Sequence, residues 1–135
     1  MVYSLRLHNM RLNYPLISGF LEHSQFPIGP VFLRDFGIRG RKGRRDHKLR
    51  TIRRLFTTYP EMKFVLIGDA GEHDAMIYAE IAGEFSERVV ACYIREVGQV
   101  PRQELHNAAG RCARLGVGMV FVRDSQEIGK HLERL

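Results

Sequence analysis

The chain has 135 residues, 44% of them apolar, which suits one domain with a hydrophobic core and excludes a disordered or low-complexity chain. No apolar run reaches the roughly 18 residues of a membrane span, and Met1 to His8 lacks the apolar block of a secretory leader, so a soluble, cytoplasmic protein is expected. The net charge of +6 is unevenly spread: nine basic residues stand against Asp46 alone between Arg39 and Arg54, leaving the rest of the chain weakly acidic.

In chain order, Met1 to Tyr3 reads as the tail of a strand and Tyr14 to Leu21 has weak helical character. Val31 to Leu33 is a strand candidate, being a short apolar run rich in β-branched and aromatic residues. Gly37 to Arg45, rich in glycine and arginine, is expected to be a loop inside the domain. Leu49, Ile52, Leu55 and Phe56 then recur at helical spacing, with Lys48 expected to open that helix.

Phe64 to Ile67 is the next strand candidate, followed by the acidic turn Gly68-Asp69-Ala70-Gly71-Glu72-His73-Asp74 and a helix carrying Ile77, Ile81 and Phe85. Val89 to Ile94 and Met119 to Val122 are further strands, separated by a helix with Leu105, Ala108, Ala109, Cys112 and Leu115 on one face. A last helix runs from Ser125, the expected N-cap, through Ile128, Leu132 and Leu135. Cys92 and Cys112 have neither disulfide nor metal-ligand spacing and are expected to be buried thiols.

Strand and helix thus alternate from Val31 onward, with strands apolar on both faces. This predicts an α/β fold: an open, Rossmann-like parallel sheet with helices on each side. Ligands of such sheets bind beyond the carboxyl ends of the strands. There, Asp69 and Asp74 return two carboxylates to one strand end, which suits Mg2+ completed by water and phosphate oxygens; the same turn also reads as a plain helix cap with Asp74 as the N-cap. Lys48 either offsets the charge of a phosphoryl group or is one more solvated lysine of the basic stretch. Arg34, Arg41 and Arg44 are the candidates for holding an anionic substrate group. His47 and His73 lack companion nitrogen or sulfur ligands and are expected to bind no metal.

Four segments are recognisable together: Gly29-Pro-Val-Phe-Leu-Arg-Asp-Phe-Gly37, His47-Lys48 with Ile52-Arg-Arg-Leu55, Tyr59-Pro60, and Lys63-Phe-Val-Leu-Ile-Gly-Asp-Ala-Gly-Glu-His-Asp-Ala-Met-Ile-Tyr78. In this order and spacing they resemble the actin-patch-protein type of phosphatidate phosphatase, a family of the haloacid dehalogenase superfamily; the match continues through Ile81, Phe85, Arg88-Val89 and Tyr93-Ile-Arg95 and covers roughly residues 15 to 135. The resemblance implies Mg2+-dependent hydrolysis of a phosphate monoester, of the phosphatidate class, through an aspartyl-phosphate. It implies that Lys48 is the phosphate-holding lysine, that Asp69 and Asp74 form the acidic metal loop, and that Ser4 is a remnant of the serine motif.

The sequence departs from the family pattern in one decisive respect: no aspartate is followed two positions later by another, so the paired nucleophile and acid/base aspartates of the central first strand are missing. Ala70 and Ala75-Met76 also replace a usual serine and a usual Pro-Glu within the acidic loop. The expectation is a single, incomplete catalytic domain that is inactive alone. Its open sheet edge beside Phe64 to Ile67 would invite dimerisation, re-pairing with strand Val31 to Leu33, aggregation, or pairing with a complete homologue. The expected partners are a phosphate monoester or an anionic lipid headgroup, with peripheral membrane contact through the basic stretch. Nucleic acid is the weaker alternative, because no aromatic-interleaved base-reading motif is present.

Overall fold

The computed structural model describes residues 3–6, 19, 22–23, 31–34, 41–97, 101–124, 127–128 and 131, with the side chains of 3–6, 31–34, 41, 42, 44 and 72 outside that description. The chain divides into two compact units, Met1–Thr51 and Ile52–Leu135.

In the first unit, β1 (Tyr3–Arg6) and β2 (Val31–Arg34) pair in parallel, from Tyr3 against Val31 to Arg6 against Arg34. The other three strands form a parallel sheet of their own with helices against it, the α/β layout that the sequence pattern predicts. Helix α1 (Arg41–Thr58), whose residues from Ile52 onward belong to the second unit, departs from expectation, since it takes in Arg41 to Arg45 of the anticipated loop and puts Lys48 well inside an 18-residue helix. Arginine and lysine lose little side-chain freedom in a helix, and the single Gly43 costs about 1 kcal/mol at most. Leu49, Ile52 and Phe56 form its buried stripe, while Arg45, Asp46, Arg50 and Arg54 face solvent.

The second unit contains β3 (Phe64–Asp69), α2 (Asp74–Phe85), β4 (Val89–Arg95), α3 (Arg102–Arg114) and β5 (Gly118–Val122), with strand order β3-β4-β5, all parallel. Parallel neighbours need long crossovers, and α2 and α3 supply them. The central strand β4 buries Ala91, Cys92, Tyr93 and Ile94, so both its faces are covered. At the edge of the sheet, β3 buries Leu66 but leaves Val65 and Ile67 36% and 46% exposed. Helix α2 turns Ala75, Ile77, Tyr78, Ala79, Ile81 and Ala82 inward.

Both ends of the later connections are closed by local hydrogen bonds. Helix α3 stops in a Schellman motif: Gly116 adopts φ 73°, Val117 N–H donates to Cys112 O at 3.0 Å, and Gly116 N–H donates to Ala113 O at 3.0 Å. After β5, Glu127 N–H donates to Asp124 Oδ1 at 3.2 Å while Glu127 Oε2 accepts from Arg123 N–H at 3.1 Å, a reciprocal arrangement like a capping box. The anticipated cap, Ser125, lies outside the described residues. Ile128 packs with Ala91, Tyr93 and Val122, and Tyr93 Oη lies 2.7 Å from His131 Nδ1. Cys92 and Cys112 are free and fully buried, and their mutual hydrogen bond, then burial, pushes the Cys92 thiol up.

Arg88 holds the exit of α1. Its guanidinium donates to the carbonyls of Phe56 (2.8 Å), Tyr59 (2.6 Å) and Met62 (3.1 Å) and lies 4.8 Å above the Phe56 ring, which in turn stacks on Phe64 and contacts Phe85. A helix C-terminus leaves carbonyls unpaired and favours a cation, yet α1 has no basic residue in its own last turn. Arg88→Ala is therefore expected to lower stability by about 2 kcal/mol, and Arg88→Lys to recover only part of this, because one ammonium cannot span three carbonyls. Urea unfolding of the three proteins checks it. Arg53 similarly ties α1 to α2, gripping Glu84 with two nitrogens and reaching Glu80 at 2.8 Å.

Candidate functional site

The site is built at the carboxyl end of β3, where Gly68 and Asp69 are the last strand residues. A short 3-10 turn, Ala70–Glu72, and His73 carry the chain to Asp74, the first residue of α2. His73 is left-handed, with φ 60° and ψ 24°, and this sharp reversal brings Asp74 back over the strand end. The N-cap position of α2 is taken by His73 and not by Asp74. Asp74 is 2% exposed, and its Oδ2 accepts a hydrogen bond from Asp69 N–H at 3.0 Å. Such a carboxylate in a first helical turn is favoured by the helix dipole.

This closure explains Gly68. A Cβ there would lie 2.0 Å from Asp74 Oδ2 and 2.7 Å from Asp74 Cβ, so only a hydrogen fits beneath the carboxylate. Tyr78, one turn beyond Asp74 on α2, donates from its hydroxyl to Ile67 O at 2.7 Å. Burial, followed by the nearby charge of Asp74, pushes its phenol well above the usual range, so it acts as a neutral donor that ties α2 to the end of β3. His73 Nδ1 lies 3.3 Å from Glu104 Oε1 on α3, a largely solvated contact that contributes little.

The Asp74 carboxylate is therefore held against the Asp69 backbone at one strand end, and both residues carry hard oxygen donors. Among the described residues no third His, Cys, Asp or Glu joins them in a metal-binding group. Two carboxylates with the remaining positions left to water and substrate oxygens fit magnesium; they do not fit a structural zinc, which takes four protein ligands. Lys48 lies on α1 in the first unit. Ser4 is in β1, Arg34 ends β2, and Arg41 and Arg44 belong to the beginning of α1; the side chains of these four lie outside the described residues.

A family model described as "Phosphatidate phosphatase APP1, catalytic domain" matches residues 10–96, a span that holds Lys48, Asp69 and Asp74. The chain belongs to this family. It is 34% identical over 76 residues to phosphatidate phosphatase APP1 of Saccharomyces cerevisiae, a match covering 53% of this chain and 13% of the yeast protein. It is 36% identical over 91 residues to an uncharacterized protein of Schizosaccharomyces pombe, covering 62% of this chain and 14% of that relative. The matched part is thus a small share of both relatives' length. No solved structure matches the chain. The APP1 catalytic-domain match ends at Glu96, so it takes in β4 and its last residue, Arg95, but not Ser4.

Two side chains around the acidic loop of this APP1-family chain, Tyr78 and Arg95, fall within the stretches that carry the resemblance but received no role from it. The contact of Tyr78 with Ile67 O comes from the packing of α2 on β3, and the register of Arg95 against Asp69 comes from sheet pairing.

Proposed function

We propose that this chain provides the magnesium- and phosphate-binding part of a phosphatidate phosphatase catalytic domain. The observation that carries the reading is the buried Asp74 carboxylate turned back onto Asp69 N–H, which sets two carboxylates at the carboxyl end of a parallel strand inside the family-matched segment. Asp69 and Asp74 would hold the magnesium ion, which when bound supplies charge neutralisation for phosphate oxygens. Gly68 and Tyr78 keep that strand end in place. Lys48 takes its role from the family resemblance, as the cation that offsets charge on the phosphoryl group.

The 135 residues contain no Asp-x-Asp pair, so the chain's own groups bind and orient a phosphate monoester without offering the family's usual nucleophile. The exposed Arg45, Arg50 and Arg54 suit peripheral contact with an anionic lipid surface, and the outer edge of β3 suits addition of a further strand.

Phosphate release from phosphatidate vesicles and from an aryl phosphate, with and without magnesium and against Lys48→Ala, tests the proposal together with magnesium-dependent melting. The expected result is stabilisation by magnesium with no Lys48-dependent turnover by the chain alone. Turnover that needs magnesium and Lys48 would show that another aspartate, with Asp35 the first candidate, serves as nucleophile. No response to magnesium at all would remove the metal-binding reading.

A further inference from the structure

The end of β4 carries a group that the acidic loop and the lysine leave unused. Arg95 closes that strand in register with Asp69, which closes β3. Register partners on adjacent parallel strands put their side chains on the same sheet face, with backbones about 4.8 Å apart. Arg95 is exposed, and among the described residues its guanidinium has neither a hydrogen bond nor an ion pair, although Glu96 follows it and Asp69 stands on the next strand. Other arginines of the same unit are used differently: Arg88 is spent on three carbonyls and Arg53 on two glutamates.

We propose that Arg95 binds the phosphate group of the substrate, beside the magnesium held by Asp69 and Asp74. The position fits, because ligands of open α/β sheets bind beyond the carboxyl ends of the strands. The chemistry fits as well, because the planar guanidinium fork matches two phosphate oxygens, a pairing that a lysine makes only as a point charge. A phosphate monoester carries up to two negative charges and a diester one, so Arg95, as a cation additional to the metal and Lys48, would favour monoesters over the singly charged diesters of most anionic lipids. The inference rests on the magnesium site proposed above.

The test uses the whole chain in magnesium buffer, with inorganic phosphate followed by thermal shift and with sedimented vesicles containing either phosphatidate or phosphatidylglycerol. Arg95→Gln is expected to weaken phosphate or phosphatidate binding at least about tenfold, near 1.4 kcal/mol, with Arg95→Lys intermediate and phosphatidylglycerol binding unchanged. Arg95-dependent binding of inorganic phosphate identifies the phosphate group alone as the ligand; Arg95-dependent binding of phosphatidate vesicles only identifies the lipid headgroup. Equal binding by the wild type and Arg95→Gln, or no phosphate or phosphatidate binding by the wild type, overturns the assignment. Magnesium stabilisation measured without phosphate separates the two ideas: if it persists in both proteins, the metal reading stands whatever becomes of Arg95.

Discussion

Gly68→Ala is expected to destabilise the second unit by about 3 kcal/mol and to abolish magnesium binding, although it adds a single methyl group. The new Cβ would stand 2.0 Å from Asp74 Oδ2 and 2.6 Å from Asp74 Cγ, well inside contact distance. The carboxylate has nowhere to go at low cost. It is buried, its own Cβ lies 2.7 Å from the same point, and moving it breaks the bond to Asp69 N–H. Either the strand end shifts or Asp74 is expelled, and both separate the two carboxylates. Urea unfolding measures the first consequence, and magnesium-dependent melting measures the second. An alanine variant that melts and binds magnesium like the wild type would show that the close approach of Asp74 to Gly68 is not maintained in solution.

Asp74→Asn is expected to remove magnesium-induced stabilisation while costing the metal-free protein only about 1 kcal/mol. The amide oxygen of asparagine can still accept from Asp69 N–H, so the loop's hydrogen bond survives the exchange, whereas the negative charge that a hard cation requires does not. For the wild type, magnesium at a hundredfold excess over its Kd would add about 2.7 kcal/mol, which sets the size of the effect to be lost. Asp69→Asn should lose it too. If either variant is stabilised by magnesium as much as the wild type, the ion does not bind at this strand end.

Much of the second unit could be read from periodicity. Short β-branched runs became β3, β4 and β5, and helical spacing became α2 and α3, with Ile77, Ile81, Ala108 and Cys112 buried as their stripes suggest. These succeed because each pattern reports a local preference that burial reinforces. The errors lie where local preference was silent or was overruled. The glycine and arginine segment suggested a loop, yet helix propensity carried α1 back to Arg41. The α/β layout of parallel strands and flanking helices was read correctly from the alternation of elements, whereas the pairing of β2 with β1 is a choice between distant segments that no window of residues encodes.

The candidate site divides along the same line. Residue order alone named the acidic turn, the family to which it belongs, and the two carboxylates as a pair, because spacing and glycine content are local properties of the chain. Folding in three dimensions decided what those residues do to each other. The left-handed turn at His73 directs Asp74 inward to Asp69 N–H when it was free to cap its helix, and that contact makes Gly68 irreplaceable. Strand register then sets Arg95 opposite Asp69, two residues far apart in the chain. Burial, hydrogen-bond direction and register depend on which distant segments pack together, and that information exists only once the sheet has formed.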